Sequence, residues 1–194
     1  MKDGPLQGNR IQDLTSLIAE QALDSLPPVN EWNPPHCGDI GLAIRADGTW
    51  SYQGSPIQRR ELVKLFSRIL RRDPDGKHYL VTPAEKINVD VADAPFLAVE
   101  MQVEGLGRDQ NLIFRTNIDD IVQCGPENPL RFTEEAGHGF KPYILVRGRL
   151  EALLTRSICY DLVELAQPDG DKNGVLCVWS AGHRFPLTTA RDNG

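Results

Sequence analysis

The sequence is short of cysteine and has no long apolar run. Its four cysteines lie far apart, without the C-x-x-C pairs or cysteine–histidine spacing typical of structural zinc. We therefore expect no metal, and reduced thiols that fill the core: Cys37, Cys124, Cys159 and Cys177. No stretch approaches the roughly 20 apolar residues of a membrane-spanning helix, and the N-terminus lacks the apolar region of a signal peptide. A cytoplasmic protein without a membrane partner is expected.

Catalytic motifs are also missing. The sequence contains no P-loop, dinucleotide-binding, nucleophile-elbow or H-E-x-x-H pattern. Its histidines share no ligand spacing with one another or with the cysteines: His36, His78, His138 and His183. We predict that the protein is not an enzyme and needs no cofactor. A third-ranked hypothesis is an unrecognised enzyme that uses Cys37 as a nucleophile near His36 or His183.

The net charge of −6 argues against a general nucleic-acid-binding protein, because such proteins carry a basic field that releases counterions from phosphate. The charge is unevenly placed. Between positions 57 and 72 six basic residues accompany the single acid Glu61: Arg59, Arg60, Lys64, Arg68, Arg71 and Arg72. This stretch is the basic segment of an otherwise acidic chain.

Apolar spacing and turn residues predict two types of element. A helix is expected from Arg10 to about Ser25, then a proline-rich loop, then a hairpin over Asp39–Gln53. Ser55, Pro56 and Gln58 form a capping-box pattern, which predicts a helix from Pro56 to Arg72. A second long helix is predicted from Leu150 to Ala166. Short strands are expected at 78–82, 86–91, 96–103, 112–116, 121–124, 143–147, 175–179 and 185–187.

The two predicted long helices share a short repeat. Residues 61–65 (ELVKL) recur as residues 161–165 (DLVEL), and an apolar strand follows each helix. We therefore predict an α+β fold, with an N-terminal helix followed by two related β-rich halves. Each half is expected to pack one long helix on a curved sheet or partial barrel. The predicted bounds are 1–28, 29–104 and 105–194.

Several arginines adjoin apolar positions and need a partner. Arg59 points with the apolar side of its predicted helix and lies in the first turn, where the helix dipole disfavours a cation. Its partner is either an internal carboxylate, such as Asp90 or Asp93, or an anionic ligand held by the planar guanidinium. The same reasoning applies to Arg131, Arg147 and Arg156.

A set of short motifs spans about Leu26 to Leu187: Trp32-Asn33-Pro34, Cys37-Gly38, Asp47-Gly48-Thr49-Trp50, Tyr52-Gln53-Gly54-Ser55-Pro56-Ile57 with Arg59, Tyr79-Leu80-Val81-Thr82-Pro83 with Glu85-Lys86, Asp93-Ala94-Pro95-Phe96, Thr116-Asn117, Pro129-Leu130-Arg131, and Pro142-Tyr143 with Val146-Arg147. As a set, these motifs resemble the bacterial family catalogued as domain of unknown function 1285. The resemblance implies a duplicated core and a second half loosely like a pleckstrin-homology fold. It also implies a ligand site between the halves, for a nucleotide-like molecule in signal transduction.

The leading functional hypothesis is a non-catalytic module that binds an anionic, nucleotide-like small molecule. Its candidate ligand-binding residues are four cations, two aromatic side chains for stacking and two polar residues of the family motifs: Arg59, Lys86, Arg131, Arg147, Trp50, Tyr143, Thr116 and Asn117. The alternative is an adaptor that docks a signalling protein on the cationic face of helix 56–72, through Arg60, Lys64, Arg68 and Arg71. The identity of the ligand and the oligomeric state stay open.

Overall fold

The computed structural model describes residues 26–135, 139–168 and 175–187. These residues form two compact units. The first contains the chain up to Arg45 and from Thr49 to Val91, and the second contains Ala46–Gly48 and the chain from Ala92 onward. The boundary between the two halves that we predicted from the sequence lies after residue 104. The helix predicted at Arg10–Ser25 lies outside the described residues.

The first unit is a six-stranded sheet with one short helix. Its elements are β1 (His36–Ile44), β2 (Trp50–Tyr52), β3 (Ser55–Pro56), α1 (Arg60–Arg68), β4 (Leu70–Arg72), β5 (His78–Val81) and β6 (Lys86–Val91). The strand order is β3-β2-β1-β6-β5-β4. Neighbouring strands are antiparallel except β1 and β6, which are parallel. The predicted hairpin and the strands at 78–82 and 86–91 are confirmed.

Helix α1 is shorter than its sequence pattern predicted. Ser55 and Pro56 pair with β2 as strand β3, so the predicted capping box does not form, and Arg59 occupies the N-cap without a side-chain hydrogen bond. At the other end Ile69 closes the helix, and Leu70 begins a strand that pairs with β5. The spacing of apolar residues predicted a longer helix. At both ends, however, the backbone N–H and C=O groups form hydrogen bonds with a neighbouring strand instead.

The core of the first unit lies where α1 packs on the sheet. Phe66 is fully buried and its ring lies 6.2 Å from the ring of Trp50, which is 1% exposed. Alternate residues of the strands are buried around this pair, as expected for a sheet with one face on the core: Leu42, Ile44, Leu80, Ile87 and Val89.

The second unit contains another six-stranded sheet, a short helix and a smaller sheet. The first sheet comprises β7 (Phe96–Glu104), β8 (Asn111–Thr116), β9 (Ile121–Gln123), β10 (Leu130–Glu135), β11 (Gly139–Arg147) and β12 (Leu150–Leu154), in the order β10-β11-β12-β7-β8-β9. Helix α2 (Arg156–Glu164) follows. Strands β13 (Gln167–Pro168), β14 (Leu176–Ser180) and β15 (His183–Pro186) form the smaller sheet.

The segment Leu150–Leu154 is a strand, whereas the sequence predicted the start of a long helix. Leucine, glutamate and alanine favour helices. Here Leu150, Ala152 and Leu154 alternate into the core, while β11 and β7 bond the segment on both sides. Tertiary pairing therefore overrides local propensity, and α2 starts only at Arg156.

The smaller sheet is tied to the larger one by a buried serine. Ser180 is fully buried, and its hydroxyl oxygen accepts a hydrogen bond from the Leu112 amide at 2.9 Å. The same hydroxyl donates to the Cys124 carbonyl at 2.8 Å. Gln110 adds a hydrogen bond to the Trp179 carbonyl. These bonds link β14 to β8 and to the loop after β9.

The two large sheets share one topology. In each, the first three strands form an antiparallel meander, the last three form another, and the sixth strand runs parallel beside the first. The helices do not match: α1 lies between the third and fourth strands, whereas α2 follows the sixth. The repeat of residues 61–65 at 161–165 is therefore not a structural equivalence.

The predicted α+β class, with one long helix packed on each half, is wrong. The described chain is mostly strand, and its two α-helices have nine residues each. Two similar β-rich units are present, as expected. Within the described ranges no helix is long and apolar enough to span a bilayer. The cysteines are free thiols: Cys124 and Cys177 are buried, and Cys37 and Cys159 are partly exposed.

Candidate functional site

The shared topology places an arginine opposite a tyrosine in both units. Arg71 on the fourth strand faces Tyr79 on the fifth, and Arg131 faces Tyr143 in the same positions of the second sheet. The sixth strand then carries Lys86 in the first unit and Glu151 in the second, each two residues before the residue paired with the tyrosine. The two sheets therefore carry an arginine–tyrosine pair at equivalent positions.

In the second unit the guanidinium of Arg131 lies over an aromatic ring. Its guanidinium carbon is 4.2 Å from the centroid of the Tyr143 ring. Glu151 holds the edge of the guanidinium, with Nε donating to Oε1 and Nη2 donating to Oε2 at 2.6 Å. The Arg131 side chain remains 46% exposed, while that of Glu151 is 16% exposed. The ring and the carboxylate together hold a cation whose side chain is still partly exposed to solvent.

The hydroxyl group beneath this cation is equally fixed. Tyr143 donates to Asp93 at 2.8 Å, and Lys141 donates to the other oxygen of Asp93 at 3.0 Å. Burial and the hydrogen bond to Asp93 raise the pKa of Tyr143 to about 12. The hydrogen bond to Glu151 raises the pKa of Arg131. Both groups therefore keep their protons at neutral pH.

In the first unit the equivalent arginine is enclosed. Arg71 donates from Nε to Asp73 Oδ1 at 2.6 Å and from Nη2 to Oδ2 at 3.2 Å. Lys86 donates to the same carboxylate at 3.0 Å. Burial alone would raise the pKa of Asp73, but the hydrogen bonds from Arg71 and Lys86 and their positive charges hold it below its usual value. Lys86 is thus an ion-pair partner within its own unit.

Tyr79 organises the remaining polar groups of the first unit. Its hydroxyl donates to Asp75 at 2.7 Å, and this bond together with burial raises the pKa of Tyr79 to about 12. Lys86 lies 4.5 Å above the ring and His36 meets its edge. The other side of His36 bonds to Asn88 at 2.9 Å. These contacts tie the start of β1 to β5 and β6.

Three other candidate residues of the second unit serve its turns. Arg147 forms a close ion pair with Asp120 and lies 5.1 Å above the buried Phe96 ring. Thr116 fixes Asp120 by accepting a hydrogen bond from its amide at 3.0 Å. Asn117 accepts from the Leu97 amide at 3.0 Å, and its Nδ2 closes the space beside Gly48. Arg147 and Thr116 are thereby brought to one aspartate, separate from the Arg131 cluster.

The sequence misjudged Trp50 and Arg59. Trp50 is almost wholly buried, so its ring is closed to a stacking ligand. Its indole N–H has no hydrogen-bond partner among the described residues. Arg59 is exposed at the N-cap of α1 rather than in its apolar face. It forms no ion pair with any residue that the structure describes. Of the two alternatives for Arg59, the internal pairing with Asp90 or Asp93 is therefore wrong, and an anionic ligand stays a prediction.

Replacing Arg59 with serine should stabilise the first unit by about 1 kcal/mol, because serine accepts a hydrogen bond at an N-cap and removes a cation from the positive end of the helix. Arg59→Ala, which removes only the cation, should change the stability by less than about 0.5 kcal/mol. Urea denaturation followed by circular dichroism measures both. A loss of several kcal/mol in Arg59→Ala would show that the side chain has a buried partner.

The cationic face proposed for an adaptor is less regular than the sequence suggested. Arg71 belongs to strand β4, and its side chain is 13% exposed. The three remaining cations, Arg60, Lys64 and Arg68, all have interaction partners. The basic segment therefore does not present four unpaired charges on one helix.

The groups suggested for an enzyme have local partners. Cys37 donates weakly to the Pro35 carbonyl, and His183 contacts the Ala181 carbonyl. In the described part of the chain, no group of three or more histidine, cysteine, aspartate or glutamate residues is arranged to hold a metal ion.

Sequence reasoning missed the acidic partners of the cations. Asp93, Asp120 and Glu151 are 20 or more residues away from the side chains that they bind. Asp73 was within reach of sequence reasoning, because it lies two residues after Arg71. The rule that half-buried arginines need partners identified Arg131 and Arg147 but could not name the carboxylates.

Family models match nearly all of the described chain. Residues 27–94 match a domain of unknown function (DUF1285), N-terminal domain, and residues 95–187 match the C-terminal domain of the DUF1285 proteins of unknown function. None of the curated proteins matches the chain.

Two crystal structures of DUF1285 family proteins are similar to the chain. The protein from Silicibacter pomeroyi DSS-3, at 2.50 Å resolution, is 44% identical with a TM-score of 0.80, covering 90% of this chain and 95% of that one. The protein from Shewanella baltica OS155, at 1.40 Å resolution, is 26% identical with a TM-score of 0.50, covering 64% and 91%.

Proposed function

We propose that this chain, which belongs to the DUF1285 family, is a non-catalytic module that binds an anionic, nucleotide-like small molecule at Arg131 in its second unit. A sensing role in bacterial signal transduction is the context that we propose for it. The carrying observation is the guanidinium of Arg131, which lies over the Tyr143 ring while its side chain is 46% exposed.

The chemistry of this guanidinium supports a planar ligand. Tyr143 beneath it and Glu151 at its edge hold the plane before any ligand arrives, which lowers the entropic cost of binding. An exposed guanidinium plane stacks on a nucleobase as readily as an aromatic ring does. Its Nη1 group donates to no described residue, so it can bond to an acceptor of the base or to an anionic group.

The contacts of the other three candidate cations explain why we place the ligand at Arg131. Lys86 and Arg147 are 20–21% exposed, and each is held by an aspartate of its own unit. Arg59 is exposed without an aromatic ring or carboxylate to orient it. Arg131 alone among these four combines high exposure with a fixed plane.

Ligand binding at Arg131 should stabilise the folded protein. A ligand at 100 times its Kd adds about 2.7 kcal/mol, which a thermal-shift screen of nucleotides, cyclic dinucleotides and inorganic phosphate would detect. The shift should disappear in Arg131→Gln and shrink in Arg131→Lys, which keeps the charge but loses the plane. The control is Arg149→Gln, in the exposed turn between β11 and β12, which should keep the full shift.

Two outcomes would contradict the proposal. One is the absence of a thermal shift with every nucleotide and anion tested. The other is a ligand-induced shift of equal size in wild type and Arg131→Gln, since binding would then lie elsewhere. The ligand-free melting temperature of each variant separates these outcomes from a general loss of stability.

A further inference from the structure

The two equivalent arginines use their nitrogen atoms alike. Arg71 and Arg131 each present the Nε and Nη2 edge to a carboxylate, that of Asp73 in the first unit and that of Glu151 in the second. The carboxylates come from different places in the two sheets. In both units, however, Nε and Nη2 bind the carboxylate, so Nη1 is the nitrogen that is directed away from the ion pair.

In the first unit, main-chain carbonyls of the same unit accept the hydrogen bonds of the remaining nitrogen of Arg71. Nη1 of Arg71 donates to the Val29 carbonyl at 2.6 Å and to the Trp32 carbonyl at 2.8 Å. These carbonyls are three residues apart on a turn, which the bond from the Glu31 amide to the Pro28 carbonyl closes at 2.9 Å. The turn covers Arg71, whose side chain is only 13% exposed.

In the second unit the same position is open. Nη1 of Arg131 bonds to none of the residues that the structure describes, and the side chain is 46% exposed. Glu151 already balances the charge of Arg131. An uncharged carbonyl oxygen is therefore sufficient as an acceptor for the remaining Nη1 donors of Arg131.

We infer that Nη1 of Arg131 donates hydrogen bonds to the main-chain carbonyls of a turn on a partner protein. Nη1 of Arg71 donates in the same way to the carbonyls of Val29 and Trp32 within the first unit. The inference rests on Arg131 as the binding residue of the proposed function and goes beyond it, because it adds a peptide turn as a second occupant that competes with the small molecule for the same nitrogen. The partner presents two carbonyl oxygens, three residues apart, that converge on one nitrogen. The first unit supplies the pattern of such a turn in residues 26–35.

The probe is a synthetic peptide of residues 26–35 with blocked ends and a fluorescent label, titrated with the full chain and followed by anisotropy. We expect saturable binding that Arg131→Gln weakens about tenfold or more, since it removes hydrogen bonds to a charged donor. Arg131→Lys should also weaken it, because lysine lacks the fixed fork. Arg149→Gln should bind within about twofold of wild type, since it changes only an exposed charge.

Several outcomes would overturn the inference. They are no binding, equal binding by wild type and Arg131→Gln, and concentration-dependent self-association that Arg131→Gln abolishes, which would make a second copy the occupant. Running the nucleotide screen on the same variants separates the two proposals. If nucleotides give a thermal shift that depends on Arg131 and the peptide does not bind, only the proposed function is supported. If neither the thermal shift nor peptide binding depends on Arg131, both proposals are wrong.

Discussion

Replacing Asp73 with asparagine is expected to lower the free energy of unfolding of the first unit by about 3 kcal/mol at neutral pH. Asp73 neutralises both Arg71 and Lys86, whose side chains are 13% and 21% exposed. Removing one carboxylate leaves two poorly solvated cations together, the most costly way of breaking a buried ion pair. Arg71 also anchors the turn at Val29 and Trp32, so the damage extends beyond the pair.

The effect of Asp73→Asn should depend on pH in a defined direction. The pKa of Asp73 is lowered below 3.8 in the folded protein, so its stabilising contribution is complete above that value. As the pH falls through the folded pKa, the wild type gains the proton and loses the contribution. The gap in stability between wild type and Asp73→Asn should therefore close below about pH 4.

Asp75→Asn is the matched control for this experiment. Asp75 lies in the same hairpin but is exposed, and its two oxygens accept hydrogen bonds from the Lys77 amide and the Tyr79 hydroxyl. In asparagine the oxygen can keep the bond from the Lys77 amide, and the NH2 group can donate to the Tyr79 oxygen. It should cost less than about 1 kcal/mol in urea denaturation. Equal losses for the two variants would show that the shared carboxylate does not hold the unit together.

Ser180→Ala should destabilise the second unit by about 3 kcal/mol. The hydroxyl of Ser180 pairs the Leu112 amide and the Cys124 carbonyl, both in buried residues. Alanine leaves these two backbone groups without a partner, and each buried unpaired group costs about 1–3 kcal/mol. The cavity is too small to account for such a loss, since only one oxygen atom is removed.

Two measurements test the role of Ser180. Urea denaturation gives the total loss, with Ser157→Ala, an exposed serine of α2, as a control expected to change stability by less than about 0.5 kcal/mol. Hydrogen exchange then locates it, because the Leu112 amide should exchange faster in Ser180→Ala than its neighbours in β8 do. A loss of under about 1 kcal/mol with slow exchange at Leu112 would mean that water replaces the hydroxyl.

The strands were predictable because a half-buried strand alternates apolar and polar residues. Leu112, Phe114 and Thr116 face the core while their neighbours do not, and this pattern is visible in the sequence. The helices were not predictable to the same degree. Leu150–Leu154 has the composition of a helix, and only its place between β11 and β7 makes it a strand.

The candidate site was predictable by residue type rather than by contact. Arg131 could be recognised as a cation needing a partner, but Glu151 and Tyr143 meet it only through the register of β10, β11 and β12. The prediction that Trp50 is available for stacking was wrong, because an aromatic residue that stacks on a ligand and one that fills the core have the same sequence pattern. The equivalence of Arg71 with Arg131 follows from the sheet order and is invisible in the local sequence.

The parallel neighbours β1 and β6, like β7 and β12, determine when each sheet can be completed during synthesis. The two meanders of a sheet are local and can form as soon as their strands leave the ribosome. Their joining must wait for the sixth strand, and it carries the entropy of closing all the strands of the sheet into one loop. Until then the first strand presents an unpaired edge to other nascent chains, which is the usual route to misassembly. Emergence of the sixth strand is therefore the committing step in the folding of each unit.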